Sequence, residues 1–236
     1  MMNDSMVCKA NRLVVAVDGP AGAGKGAVCR AAAARFGLTY LETGALYRAV
    51  GLFSIRQGIV TPEALAEVAA VMPFAFRNMG EGRYGAFLGA EEVTLALRAE
   101  EVGQAASRIA ALPGVRKALH GFQRRYGEGA NLILDGRDVG SVIWPDADLK
   151  IFLTASLEER AKRRALELQA RGEAVNLREL ITRMLERDTS DASRTHAPME
   201  PAAGSVVVDT TELTLAQSQE TVNQLIAGLL NRSTPA

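Results

Sequence analysis

The sequence predicts an α/β fold in which a five-stranded parallel sheet is the middle of three layers. Five short apolar runs alternate with segments of helical periodicity, and most of the runs lack the polar–apolar alternation of a half-exposed strand. Such runs are typical of parallel strands that helices cover on both faces. The predicted strands are residues 13–17, 38–41, 131–134, 149–153 and 205–208.

Helical patterns fill the intervals between these runs. A helix is expected over residues 28–36, and the further predicted helices are 44–57, 61–71, 99–111, 115–126, 156–170, 176–189 and 215–230. The βα alternation predicts right-handed crossovers between parallel strands. A ligand site is therefore expected where the strands end, at the carboxyl edge of the sheet.

Residues 73–97 break this alternation. Short β-like runs with turn residues between them predict a small antiparallel insert between two helices. No internal repeat or interdomain linker is evident, so residues 1–236 are expected to form a single domain.

Composition excludes some classes of function. The 236 residues include 27 Lys and Arg and 27 Asp and Glu, so the formal net charge of zero argues against a nucleic-acid or anionic-membrane partner. The sequence shows no long apolar span and no signal peptide. Cys8 and Cys29 fit neither a metal site nor a disulfide framework, which favours a reducing, cytoplasmic location. A monomer is expected.

A glycine-rich loop with a lysine follows the first predicted strand and precedes a helix. Glycines let backbone N–H groups turn towards an anion, and Lys25 has the length to reach β- and γ-phosphates. Gly26 follows Lys25 where Ser or Thr often binds Mg²⁺ directly, which favours small-molecule kinases over GTP switches. The loop residues are Gly19, Pro20, Ala21, Gly22, Ala23, Gly24, Lys25, Gly26 and Ala27.

Charged side chains follow other strands. Asp135 ends a strand near the loop, where a carboxylate could hold Mg²⁺, directly or through water. Arg48, Arg137 and Arg194 are candidates to clamp a second phosphate, because planar guanidinium groups match phosphate oxygens.

Arg160 and Arg164 share one face of a predicted helix, beside Arg163. Two interpretations stay open. The face is either an exposed set of ion pairs with neighbouring glutamates, or part of a lid whose arginines close on the donor phosphates.

Four segments together resemble the bacterial cytidylate kinases. They are the loop with its preceding Val-Asp, the run Thr43-Gly44-Ala45-Leu46-Tyr47-Arg48, the turn Asp135-Gly136-Arg137-Asp138, and Glu186-Arg187-Asp188. With Ala105-Ala106-Ser107 and the β-like insert they occur in order between about residues 13 and 230. Two positions depart from the family pattern, Ala27 where threonine is usual and Ser190 where arginine is frequent.

The resemblance implies a nucleoside monophosphate kinase fold that transfers the γ-phosphoryl group of ATP, with Mg²⁺, to CMP or dCMP. It implies a core of residues 12–71, 99–159 and 196–230, an acceptor-binding insert near 72–98 and a lid near 160–195. The loop, Arg160 and Arg164 would bind ATP, and Lys25, Arg137, Arg164 and Arg194 would act in catalysis, with the metal at Asp135 held through water. CMP would contact Thr43, Arg48, Ser107, Arg116, Arg137, Asp138, Arg187, Asp191 and Arg194.

Within that set, the resemblance assigns Ser107, Arg116 and Asp138 to cytosine. A carboxylate can accept a hydrogen bond from the cytosine amino group, whereas uracil presents an oxygen there. Asp138 could instead cap its own glycine-containing turn. Two other functions stay open: a kinase for UMP or AMP, and a nucleotide-binding switch without transfer. The lack of a guanine-type Asn-Lys-x-Asp motif argues against a GTP switch.

Overall fold

The computed structural model describes residues 12–80 and 83–233, so Cys8 lies outside the described residues. The strands are β1 (Val14–Asp18), β2 (Thr39–Glu42), β3 (Phe74–Asn78), β4 (Tyr84–Leu88), β5 (Glu91–Glu92), β6 (Leu132–Gly136), β7 (Leu149–Thr154) and β8 (Val206–Asp209). The helices are α1 (Lys25–Phe36), α2 (Thr43–Gln57), α3 (Pro62–Val71), α4 (Glu100–Ile109), α5 (Pro113–Tyr126), α6 (Leu157–Gln169), α7 (Leu177–Ala192) and α8 (Leu215–Ser233).

A five-stranded parallel sheet has the strand order β2-β6-β1-β7-β8. This confirms the predicted sheet, and the observed bounds differ from the predicted ones by only a few residues. Every residue of β1 and β6 is buried, as expected for strands covered on both faces. Cys29 is buried in α1, where its thiol packs in the main apolar core.

The register of the sheet brings three carboxylates to one edge. Asp135 pairs with Val17 of β1 and with Glu42 of β2, and Asp18 pairs with Gly136. The residues that follow β1, β2 and β6 therefore meet at the carboxyl edge of the sheet, which is where a ligand site was expected.

The antiparallel insert is confirmed as a three-stranded sheet in the order β3-β4-β5. Aromatic side chains join it to the core: the Tyr40 ring of β2 packs edge-on against Phe76 and Tyr84. Tyr126 of α5 donates a hydrogen bond to the Phe76 carbonyl at 2.9 Å. The insert is thus packed against β2, the strand that ends at Glu42, the register partner of Asp135.

Helices α6 and α7 form a hairpin with its own apolar cluster, separate from the main core. The cluster consists of Ala161, Ala165, Leu168, Leu180 and Met184. The hairpin therefore has an apolar cluster of its own besides its contacts with the loop. The division into core, insert and lid at residues 72–98 and 160–195 stays a prediction.

Candidate active site

The loop between β1 and α1 forms a backbone cradle at the start of a helix. Gly19, Gly22 and Gly24 have φ values of 140°, 79° and 92°, a region that side chains disfavour. The first N–H groups of α1 lack partners within the helix and point towards the loop. With the positive end of the helix dipole, they make this cradle suitable for an anion.

Gly19→Ala is expected to destabilise the protein more than Gly24→Ala. A Cβ at Gly19 would lie 2.0 Å from the Leu153 carbonyl oxygen, whereas at Gly24 it would meet nothing within 4 Å. Gly24→Ala should therefore cost only backbone strain, about 1–2 kcal/mol. Gly19→Ala adds an overpacking cost of about 1–3 kcal/mol. Urea unfolding of both variants measures the difference, and equal losses would show that the Leu153 contact relaxes freely.

Lys25 is buried and folds back over the loop. Its Nζ donates hydrogen bonds to the carbonyl oxygens of Gly19 and Pro20, both at 2.8 Å. Burial, and then the nearby Arg137, lower the pKa of Lys25 to about 7, while Asp135 opposes the shift. A polyanion in the cradle would oppose it further, so phosphate binding favours the charged ammonium group.

Asp135 is buried at the end of β6. Tyr40 donates its hydroxyl to Asp135 Oδ2 at 3.2 Å, and Thr43 donates to the Asp135 carbonyl oxygen at 2.8 Å. Burial, and then Glu42, raise the pKa of Asp135 to about 7, while Lys25 opposes the shift. Burial also raises the pKa of Tyr40, which keeps its hydroxyl a donor.

The predicted Mg²⁺ site at Asp135 would combine one carboxylate with water and substrate phosphates. In the described part of the chain, no group of three or more His, Cys, Asp and Glu side chains could hold a metal by itself. Mg²⁺ commonly keeps several waters and uses one or two carboxylates with substrate phosphates. A Cβ at Gly26 would lie 3.4 Å from Asp135 Oδ2 and 3.2 Å from Arg30 Nη1, so the carboxylate adjoins the loop beside a guanidinium group.

Asp191 joins two of the predicted acceptor arginines. Arg137 Nε donates to its Oδ2 at 3.1 Å, and Arg194 pairs with its Oδ1. Arginines therefore engage both oxygens of the Asp191 carboxylate, and its predicted contact with the sugar stays a prediction. Arg48 donates to the carbonyl oxygen of Leu97 at 2.8 Å, next to the insert.

The arginine cluster consists of Arg48, Arg137, Arg187 and Arg194, and its acidic neighbours include Asp191, Asp188 and Glu42. The Nε atoms of Arg187 and Arg194 are buried without a hydrogen-bond partner. Burial, and then Arg137, lower the pKa of Arg187 to about 10. Burial lowers the pKa of Arg48 too, and Arg164 and Arg137 add to that effect. Buried guanidinium donors without a partner favour an anion at this site.

Arg116 and Asp138 form a partly buried ion pair at the end of the Asp135-Gly136-Arg137-Asp138 turn. The Arg116 guanidinium also lies over the Tyr47 ring, 5.9 Å from its centroid, and donates to the Ala110 carbonyl oxygen at 3.2 Å. Burial raises the pKa of Asp138, and Arg116 opposes the shift. Ser107 lies one turn along α4 from Gly103. A Cβ at Gly103 would lie 3.2 Å from Arg48 Nη1.

The arginines of α6 differ in their contacts. Arg160 is buried, donates to Ala21 in the loop at 3.1 Å, and lies 2.6 Å from Asp188 Oδ2. Arg164 instead forms an ion pair with Glu167 at 2.9 Å, as the first of the two interpretations expects. Arg163 donates to Thr210 Oγ1 and to the Thr210 carbonyl oxygen, at 3.0 and 2.7 Å.

Sequence reasoning missed two supporting residues. Asp18 accepts hydrogen bonds from Val139 N and Gly140 N, at 2.8 and 2.7 Å. These bonds anchor the π-helical turn Val139–Ile143 that directly follows Asp138. A carboxylate at the end of a buried strand was an available signal for Asp18. No signal in the sequence indicated Tyr40, because a tyrosine is an ordinary residue in a buried strand.

Comparisons with known proteins agree with this geometry. A family model described as cytidylate kinase matches residues 15–228. The chain belongs to the cytidylate kinase family. A cytidylate kinase from Magnetococcus marinus is 53% identical over 223 residues, covering 94% of this chain and 99% of that protein. One from Marinomonas sp. is 46% identical over 211 residues, covering 89% and 93%. The resemblance seen in the motifs is confirmed, and with it the class of enzyme, a phosphotransferase.

A solved structure also shares the fold. An uncharacterized protein from Eubacterium ventriosum matches with a TM-score of 0.53 at 10% identity, covering 92% of this chain and 99% of that one. At this identity the likeness shows the fold alone. Among the described residues, the longest apolar helices fall short of what crossing a membrane requires.

Proposed function

We propose that this member of the cytidylate kinase family transfers the γ-phosphoryl group of ATP to CMP or dCMP, giving ADP and CDP or dCDP. The observation that carries the proposal is the pairing of a glycine cradle with a second, arginine-lined anion site. A kinase of monophosphates needs two such sites, because both of its substrates are polyanions.

The reaction needs no protein general base. The second pKa of a phosphate monoester is about 6, so the acceptor oxygen is already largely anionic at neutral pH. The difficulty is repulsion between donor and acceptor. The site must hold them in line, offset their charge and exclude water.

Lys25 and the backbone N–H groups of loop residues 19–27 other than Pro20 serve the donor phosphates in this proposal. Arg160, already bonded to Ala21, stabilises the loop from the lid side. Arg164 reaches the donor only if it leaves Glu167 when the lid closes. Asp135 would hold Mg²⁺ through water, and a bound Mg²⁺ supplies positive charge between the phosphates.

The acceptor site comprises the remaining predicted residues. Arg48, Arg137 and Arg194 hold the acceptor phosphate, with Thr43 lining the pocket. Arg187 and Asp191 lie beside the sugar, where Asp191 also orients Arg137 and Arg194. Ser107, Arg116 and Asp138 recognise cytosine, and the Arg116–Asp138 ion pair holds the carboxylate that accepts from the amino group.

An ADP-release assay with CMP, dCMP, UMP and AMP tests the proposal. We expect ADP to form with CMP and dCMP in the presence of ATP and Mg²⁺. A faster reaction with UMP or AMP would reassign the acceptor. ADP release that no acceptor stimulates would overturn the transfer function. The monomeric state and cytoplasmic location stay predictions.

Arg137→Ala is expected to weaken CMP binding more than ATP binding. Its guanidinium belongs to the acceptor cluster, and a lost charge-assisted hydrogen bond costs about 1.5–3 kcal/mol. Calorimetry with CMP and with a non-hydrolysable ATP analogue measures both affinities. Arg35→Ala is the control, since it removes an exposed arginine that pairs with Glu220. Equal losses for both ligands, or a loss for ATP alone, would contradict the placement of Arg137.

A further inference from the structure

The hydroxyl of Tyr40 lies at the junction of three parts of the molecule. Tyr40 is fully buried in β2, and its hydroxyl donates to Asp135 Oδ2 at 3.2 Å. Residues two apart along a strand share a face of the sheet. Because Glu42 is the register partner of Asp135, Tyr40 emerges on the same face as the Asp135 carboxylate.

The insert fixes the Tyr40 ring. Phe76 of β3 and Tyr84 of β4 pack edge-on against it, with ring centroids 5.6 and 5.0 Å away. Phe76 and Tyr84 are themselves stacked at 5.5 Å. A ring held on two sides has little freedom about its χ angles, so the direction of its hydroxyl is set by the insert.

The loop meets the same hydrogen bond. A Cβ at Gly26 would lie 3.4 Å from the Tyr40 hydroxyl and 3.4 Å from Asp135 Oδ2. Arg30 Nη1 lies 3.2 Å from the same Cβ position, so the Tyr40–Asp135 hydrogen bond adjoins the loop, where the donor phosphates are proposed to bind. Tyr40 therefore holds one oxygen of Asp135 from the side of the insert.

We infer that Tyr40 is a positioning residue, whose hydroxyl holds the Asp135 carboxylate in the orientation that binds metal-coordinated water. This inference rests on the proposed function, since it requires Asp135 to serve the metal. Hydrogen bonds from such outer partners fix the direction and basicity of a carboxylate that binds a metal. The packing also makes the insert part of what orients the metal site.

The test compares Tyr40→Phe with Tyr126→Phe. Both remove one hydroxyl beside the insert, but the Tyr126 hydroxyl donates to the backbone carbonyl oxygens of Phe76 and Tyr40, at 2.9 and 3.4 Å, and has no bond to Asp135. Affinity for Mn²⁺ in the presence of ADP, measured by electron paramagnetic resonance without turnover, is the first readout. The second is the Mg²⁺ concentration that gives half-maximal activity.

We expect Tyr40→Phe to weaken metal affinity roughly tenfold, the lower end for the loss of an outer partner. Tyr126→Phe should leave it unchanged. Tyr40→Leu removes the same hydroxyl but changes the packing. A cooperative melting transition identifies the folded protein, and in that protein metal affinity should be weakened to a similar extent. KM for CMP should stay at the wild-type value in Tyr40→Phe, because the hydroxyl makes no contact with the acceptor arginines.

Asp135→Asn distinguishes failure of the inferred role of Tyr40 from failure of the proposed metal role of Asp135. If it weakens metal affinity while Tyr40→Phe and Tyr40→Leu do not, the role of Tyr40 is overturned and that of Asp135 stands. If Asp135→Asn itself leaves metal affinity unchanged, the proposed metal role of Asp135 fails, and the role of Tyr40 fails with it. Lowered melting temperature with unchanged metal affinity in the Tyr40 variants would mark Tyr40 as a packing residue only.

Discussion

Replacing Lys25 with alanine is expected to leave a folded protein whose turnover is lower by a factor of about 100 to 1,000. Two carbonyl oxygens hold the ammonium group at the loop, so on the proposed function its charge would act on the transferred group. An electrostatic contact of this preorganised kind acts mainly in the transition state. The loss should therefore appear in kcat more than in the affinity for ATP.

The measurement is single-turnover transfer from ATP to CMP by purified variants, with circular dichroism to confirm folding. Lys117→Ala is the matched control, because Lys117 is an exposed lysine on α5. Wild-type turnover in a folded Lys25→Ala protein would remove the assignment of the loop to the donor phosphates.

Sequence periodicity predicted the sheet and helices because their signals are local. The buried strands are short apolar runs, and α1 ends at Gly37 in the left-handed conformation that glycine favours. The cradle was also predictable, since a strand, a glycine loop, a lysine and a helix follow one another within a few residues. These features need no information about distant parts of the chain.

The missed parts of the site depend on distant residues. Asp18 anchors a turn that lies 121 positions along the chain, and Tyr40 bonds to a carboxylate 95 positions away. Neither residue type differs from what a core strand or a strand end ordinarily carries. Their roles follow from the register of the sheet, which cannot be predicted from a single sequence.

The arginines of α6 show a different limit. Arg160 and Arg164 share a helix face by spacing, yet Arg160 bonds to the loop and Arg164 pairs with Glu167. One helical turn, about 5.4 Å, separates them, and Arg160 is on the turn that abuts the loop. Spacing defines a face, but the distance along the helix from the loop decides which arginine touches it.

Overall charge likewise conceals the site. The chain has equal numbers of acidic and basic residues, yet Arg137, Arg187 and Arg194 lie around the buried carboxylate of Asp191, and Arg48 lies near Arg137. A neutral protein can therefore present a strongly positive pocket to two nucleotides. Net charge bears on broad surfaces such as those that attract nucleic acids, and it does not describe a local pocket.

Asp138→Asn is expected to narrow the preference for CMP over UMP. The wild-type carboxylate, held by Arg116, can accept from the cytosine amino group but repels the oxygen that uracil has at that position. An asparagine amide can keep its oxygen on Arg116 and turn its NH₂ group towards uracil. Turnover of CMP should fall, while turnover of UMP should fall less or rise.

The ratio of kcat/KM for the two substrates is the measurement, because it reports differential binding of the transition states. It should shift by about 1–3 kcal/mol, the discrimination that one base-edge contact supplies. Asp146→Asn is the control, since Asp146 is an exposed carboxylate that pairs with Arg124 outside the proposed base pocket. Equal losses for CMP and UMP would make Asp138 a residue that organises its turn and the Arg116 guanidinium. Base choice would then have to come from Ser107 and Arg116, whose donors could contact the ring nitrogen and carbonyl oxygen of cytosine.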